Sequence, residues 1–286
     1  LDGNTVVEVG GVLFRLHRSR LVDQSTFFAR LLNEQDVVMD DCVVVEGDEH
    51  GIVYHLIASL HFGFIFTANH RVYHFVPPTF RVLAAILRAA TELRFNAYRA
   101  FAVKILENAW SSSLADLTTE TKSNAVEVVI LASACGIKSV LKRAFYEMVR
   151  VTGYGLGDGE LDSDGDDGEV SREITRADER RLERMRERLI STWSQVAVRM
   201  DRSFKCPNQS KETPGISMSP STSRLPGCPS LCWKQDAWER RVHDSGLYEE
   251  YQFDPLCGLQ ALIDIKWDTE EGWCSDCVRA KREAWT

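Results

Sequence analysis

Thr5-Val-Val-Glu-Val9, Gly10-Gly11 and Val12-Leu-Phe-Arg-Leu16, running on into His17-Arg-Ser-Arg-Leu21 and Ser25-Thr-Phe-Phe28, form the stretch that decides how this chain folds. Two β-branched runs flank a glycine pair, and paired glycines supply the positive φ of a tight hairpin turn, so two antiparallel strands are expected. From residue 19 to 32 the period changes. Leu21, Phe27, Phe28, Leu31 and Leu32 recur at helical spacing, with Ser25 as an N-cap in their midst, which predicts two short helices. Val43-Val-Val45 reads as a further short strand, and Ile52, Leu56, Ile57 and Leu60 as a helical stripe ending near Gly63.

Farther along, Pro77-Pro78-Thr79 stops one element and caps the next, because proline cannot continue a helix and threonine can satisfy the first free amides. Phe80, Leu83, Ala84, Leu87, Ala90 and Leu93 then form an unbroken helical face. Tyr98, Phe101, Ala102, Ile105 and Ala109 repeat it, as do Ile137, Leu141, Ala144, Phe145 and Met148. The expected class is α+β, a small mixed sheet followed by stacked helices.

A chain of 286 residues, 44% hydrophobic and 27% charged, has room for about two domains with cores of their own. The longest uncharged helical stretch, 128–137, is too short to cross a bilayer. The net charge of −8 is concentrated: residues 151–170 hold seven acids and no base, whereas 1–150 hold 16 acids and 15 bases and 171–286 hold 19 of each. Neither half carries the basic face that phosphate-backbone binding needs, so nucleic acid and membrane are not expected partners. No signal peptide is visible behind Leu1, and the missing initiator methionine points to a true N-terminus upstream. Eight cysteines in a chain large enough to fold without staples favour a reducing compartment, and an intracellular location, nucleus or cytoplasm, is expected.

The segment 153–168 alternates glycine with acidic residues and reads as a connector. Asp162, Asp164, Asp166 and Glu173 match positions of a calcium loop, but Asp167 stands where that loop needs glycine. Thr175 and Asp178 resemble a capping box opening a charged helix through Leu182, Met185, Leu189 and Trp193. The mixed charges of 176–188 suit pairs along a solvated helix face. His17 stands among Arg15, Arg18 and Arg20 without a paired acid, and reads as local packing at a helix start. Between residues 206 and 229 fall five of the eight prolines, marking a second loop.

Cys228-Pro-Ser-Leu-Cys232 and Cys274-Ser-Asp-Cys277 are C-x3-C and C-x2-C pairs, spacings at which two thiolates can turn toward one tetrahedral zinc. Together Cys228, Cys232, Cys274 and Cys277 could complete four ligands. The 41 intervening residues are more than compact zinc motifs carry, and Cys206 and Cys257 are competing partners. The other reading is four small buried hydrophobes among the C-terminal tryptophans Trp233, Trp238, Trp267, Trp273 and Trp285. Trp273-Cys-Ser-Asp-Cys277 also echoes thiol oxidoreductases, whose motif follows a buried strand. Here 268–272 is polar and acidic.

Phe14-Arg-Leu-His-Arg-Ser-Arg-Leu21, then Ser25-Thr-Phe-Phe28 and Leu31-Leu32, resembles the most recognisable stretch of BTB/POZ domains, in which a hairpin leads into a helix bearing His and an aliphatic residue, then a serine and an aromatic pair. Val43-Val-Val-Glu-Gly, a helix ending His61-Phe-Gly63, and the face from Leu83 to Leu93 follow in the family's order. The likeness covers about residues 2–110. BTB proteins of the type abundant in fungi also carry a helical extension and a Cys- and Trp-bearing C-terminal part, similar to 115–286. The stretch 64–76 departs from the family in being longer than a minimal BTB needs.

With this resemblance the chain divides into a BTB/POZ-like domain (1–110), a helical extension (111–152), an acidic linker (153–170), a helical segment (171–205), a Pro/Ser loop (206–230) and a Cys/Trp helical region (231–286). It implies a non-enzymatic protein–protein interaction module, an adaptor or scaffold that pairs with itself or related BTB chains. It implies a further protein partner as well, a cullin scaffold among the candidates. Leu13, Leu21, Phe27 and Phe28 are the expected interface residues. The rival function is a metal-dependent or thiol enzyme using the C-terminal cysteines.

Overall fold

A computed structural model describes residues 4–9, 12–33, 42–45, 53–56, 77–151, 174–201, 204–207 and 228–286. The acidic segment 153–168 with its calcium-like template, the stretch 64–76, the prolines of 208–227, and His61, His70 and His74 lie outside the described residues. The chain forms two compact units: Leu1–Ser113 with Asn124–Ala144, and Leu114–Ser123 with Phe145–Thr286. The segment 111–152 therefore contributes to both units.

In unit 1, β1 (Asn4–Val9) and β2 (Val12–His17) make the expected hairpin, with Val9 opposite Val12. Thr5 pairs with Leu16 and Val7 with Phe14, which puts these four side chains on one face. That face meets the core, while Leu13, Arg15 and His17 alternate outward. β3 (Cys42–Val45) and β4 (Val53–Leu56) complete a sheet of order β2-β1-β4-β3, in which β4 runs parallel to β1 and antiparallel to β3. The helical stripe expected from Ile52 to Leu60 is thus corrected at Val53–Leu56. That short segment is claimed from both sides by strands, and ladder hydrogen bonds override the spacing of its aliphatic residues.

The two short helices are α1 (Arg18–Gln24) and α2 (Thr26–Asn33), broken at Ser25. The buried Ser25 hydroxyl accepts from Phe28 N at 3.0 Å, as a cap should, and donates to Leu93 O at 2.6 Å, tying this break to the end of α3 (Phe80–Glu92). Thr79 occupies the N-cap position of α3, yet its side chain makes no capping bond. At the other end Arg94 adopts φ 53°, and Phe95 N bonds back to Ala90 O at 2.9 Å, a Schellman closure without glycine. The buried Phe95 then starts α4 (Asn96–Ala109). Val7, Leu21, Phe27, Phe28, Leu31 and Leu32 close against Ala89, Ala90, Leu93 and Phe95. Phe28 meets Phe27 edge-on at 5.3 Å and Phe95 at 5.9 Å. α5 (Ala125–Ala134) ends in a second Schellman turn, here at Gly136 with φ 68° and an Ile137 N to Ala132 O bond of 2.8 Å.

Helix α6 (Leu141–Arg150) begins in unit 1 and ends in unit 2. Unit 2 continues with α7 (Arg176–Ala197), α8 (Leu231–Trp238) passing into a π-turn at Glu239–Asp244, α9 (Leu247–Glu250), α10 (Pro255–Asp264) and α11 (Ser275–Trp285). Thr175 caps α7 as expected, accepting from Asp178 N at 3.2 Å. The core is tryptophan-rich. Trp238 stacks on Trp267 at 5.4 Å, Trp273 lies 4.7 Å from Trp267, and Trp285 leans on Trp238 at 5.9 Å. The indole N–H of Trp238 donates to Ala197 O, that of Trp267 to Leu262 O and that of Trp193 to Tyr248 O, so these buried donors are satisfied. Gly258 is required by packing, since a Cβ there would stand 2.7 Å from the Trp193 ring and from Tyr251 Cβ. No helix among the described residues is long and apolar enough to cross a membrane.

A buried ion cluster joins three parts of unit 2. The Arg150 guanidinium donates to both oxygens of Glu147 at 3.1 Å, pairs with Asp254 at 2.8 Å, and reaches the carbonyls of Thr118 and Thr119 at 2.7 Å each. Lys122 N donates to Glu147 at 3.1 Å, and the Tyr146 hydroxyl donates to Asp254 at 2.5 Å. Burial alone would lower Arg150, but the carboxylates of Asp254 and Glu147 outweigh it and hold the guanidinium charged. Burial, followed by the bond to Asp254, pushes Tyr146 up, so its proton stays on the oxygen as a donor.

Candidate metal centre

Cys206, Cys228, Cys274 and Cys277 converge in unit 2, with all four sulfurs within 4.8 Å of one another. Each arrives differently. Cys206 lies beyond α7, two residues after Phe204, whose N bonds Asp201 O at 3.1 Å. Cys228 lies ahead of α8, whose N-cap is Ser230. Cys274 is the N-cap of α11 and Cys277 its third residue. Positions N-cap and N3 are the pair that a capping box brings together, so a C-x2-C pair placed there turns both sulfurs to one side.

The distances suit a tetrahedral ion. Four sulfurs each about 2.3 Å from a central metal stand about 3.8 Å apart. Cys206 and Cys274 sulfurs are 3.5 Å apart, Cys228 and Cys277 likewise 3.5 Å, and the remaining separations extend to 4.8 Å at most. Cys135, Cys206, Cys228, Cys232, Cys257, Cys274 and Cys277 are unbridged. Burial pushes Cys228 up, but the Lys234 ammonium and the neighbouring cysteines outweigh it and bring the thiol down to about 7. At Cys277 burial prevails and pushes the thiol up. Burial likewise pushes the Cys274 thiol up, and a metal bound here would displace the thiol protons with the Lys234 ammonium beside the resulting negative charge. With four protein sulfurs around one centre, no coordination position is left for substrate.

The expected ligand set is corrected in one member. Cys232 sits two residues into α8, exposed, and does not join the cluster, and Cys206 takes its place. The reason is the cap at Ser230, which accepts from Trp233 N at 3.3 Å and so starts the helix between the two cysteines of the C-x3-C pair. Cys232 is carried away with the helix. Cys257 is also elsewhere, buried with its sulfur 3.6 Å from Thr118 O. Cys206 carried only the signal of being an unpaired cysteine in a proline-rich stretch. Lys234, whose ammonium donates to Cys277 Sγ at 3.1 Å, carried none.

The expected interface residues also separate. Leu21, Phe27 and Phe28 are consumed by the core of unit 1, so they are corrected from shared to internal burial, whereas Leu13 is 63% exposed on β2. His17 stands exposed at the N-cap position of α1 with no capping bond. Compared with models of protein families, with curated protein sequences and with solved structures, the chain matches none.

Proposed function

We propose that this chain is a protein–protein interaction protein in which a BTB-like unit 1 mediates self-association and a zinc-stapled unit 2 presents a surface to a further partner. The observation that carries the reading is the closed four-sulfur cluster. A soft tetrathiolate set is what zinc takes in structural sites, and such a site contributes folding energy and no turnover. The buried Lys234 beside it supports ionised sulfurs, because an ammonium taken out of water needs an anion near it. A thiol enzyme would need an accessible nucleophile, whereas the sulfurs here face one another.

For unit 1, support comes from the hairpin, the paired short helices and the helical layer in the order the resemblance implies. With three expected contacts used internally, the outer face of the edge strand β2 around Leu13 is the surface proposed for pairing with a second copy. An adaptor or scaffold role follows from such pairing, and the cullin scaffold stays among the candidate partners.

Elemental analysis of full-length protein purified without chelator tests the metal. About one zinc per chain is expected in the unaltered protein and in Cys232→Ser, with loss in Cys206→Ser. Loss in Cys232→Ser with retention in Cys206→Ser, or no zinc in any, sinks it. Light scattering at low micromolar concentration tests the pairing: twice the chain mass is expected, reduced to the chain mass by Leu13→Asp. A monomer before substitution refutes self-association.

A further inference from the structure

Lys234 is 3% exposed, and its ammonium faces two sulfurs and two aromatic rings: Cys277 Sγ at 3.1 Å and Cys228 Sγ, with the ring centres of Phe204 and Trp273 at 5.6 and 5.8 Å. Among the described residues it forms no ion pair with a carboxylate. Phe204 lies two residues before Cys206 and Trp273 immediately before Cys274, so the box around the ammonium is built by the same backbone that delivers the sulfurs. On Phe204 rests a second cation, Lys281, with its ammonium 4.6 Å from the ring centre. Lys281 is one helical turn beyond Cys277 on α11.

Four thiolates around a divalent ion leave two net negative charges, and burial makes an unbalanced charge costly. Two lysines stand beside it, Lys281 while also facing the Asp201 carboxylate. We propose that Lys234 is a positioning residue of the metal centre: its N–H donates to Cys277 Sγ and, with Lys281 across the Phe204 ring, it neutralises a buried metal tetrathiolate and tightens its hold on the ion. This rests on the metal reading above. It adds that the affinity of the site is set outside the four sulfurs, as is usual where partners of the ligands orient them and share their charge.

The test uses full-length protein with Zn2+ or Co2+ as the only probe, titrated against a chromophoric chelator. Lys234→Met keeps the length of the side chain and removes donor and charge. It should still bind one ion, with affinity lowered about 10–100-fold. The sulfur-to-cobalt charge-transfer band should move to longer wavelength, since a sulfur freed of its hydrogen bond gives up electron density more easily. Lys234→Arg should recover part of both. Affinity within twofold of the unaltered protein together with an unmoved band would show that Lys234 merely fills space. If Lys234→Met does not fold, Lys281→Met serves: a smaller fall in affinity is expected, and none overturns charge balancing. An unaltered protein that binds neither ion fails the metal reading itself, an outcome separate from normal binding that is indifferent to Lys234.

Discussion

The cores of the two units are built on different principles. Unit 1 closes phenylalanine, leucine and alanine from a hairpin and its following helices, and its turns are satisfied by neighbours in sequence, as at Ser25 and Gly136. Unit 2 closes stacked tryptophans around four sulfurs, a buried lysine and an arginine between two carboxylates, gathered from segments more than a hundred residues apart. Apolar burial is non-directional and tolerates modest errors of geometry. Convergent polar groups are costly when any one partner is missing. The two halves should therefore fail in different ways.

The sharpest separation should come from metal removal. Structural zinc in small domains carries apparent binding free energies of about 10–16 kcal/mol, so a chelator should loosen unit 2 broadly. Tryptophan emission, which reports chiefly on that unit, should shift to the red while the helices of unit 1 keep their protection from hydrogen exchange. Equal loosening of both units would erase the contrast. Next in size are one substitution in each core. Phe28→Ala should cost unit 1 about 3–5 kcal/mol through lost burial and a cavity. Arg150→Met should cost unit 2 a similar ~3–5 kcal/mol by leaving Glu147 and Asp254 buried without their cation. Denaturant titration followed by exchange at sites in each unit assigns the loss, and a neutral Arg150→Met would mean that the ion cluster adds nothing beyond its packing.

Smaller effects refine the picture. Gly258→Ala should destabilise unit 2 by about 1–3 kcal/mol, because the added methyl meets the Trp193 ring and Tyr251 at 2.7 Å. Its thermal midpoint should fall without loss of bound metal. The smallest effect is set by pH. Burial would raise Glu271, but Arg241 and Arg240 outweigh it and hold the carboxyl below its ordinary value. A depressed carboxyl contributes stability that is complete above the unfolded value of about 4.3 and is lost as pH falls through the lower folded value. Both arginines are partly exposed, so salt should weaken the effect. Unit 2 should lose stability more steeply below pH 4.3 than Glu271→Gln does, and parallel curves would remove Glu271 from the account.

Local chemistry made much of unit 1 readable. The glycine pair, the cap at Ser25 and the helical faces of α3 and α4 are decided by residues a few positions apart, and each acts before tertiary contacts form. Two points were not readable there. Val53–Leu56 is strand because β1 and β3 lie on either side of it, and the turn that closes α3 puts the non-glycine Arg94 at positive φ as Phe95 packs into the core. Both follow from distant partners.

In unit 2 the sequence by itself supplied the cysteines that could bind a metal, with Cys206 only as a competing partner, and set them near the C-terminal tryptophans, of which Trp233 stays exposed outside the core. The C-x2-C pair at 274 and 277 survives because both cysteines fall within one helix start. Only the tertiary structure decided the fourth sulfur. Cys228 and Cys232 are close along the chain, but Ser230 begins a helix between them and turns Cys232 to solvent. Cys206, separated from Cys228 by a long proline-rich stretch, is brought beside Cys274 by the same tryptophan packing that buries Lys234. Spacing along the chain constrains a pair of ligands only while the backbone between them keeps one conformation. A cap or a core contact can override that spacing, and neither is visible until the chain has closed on itself.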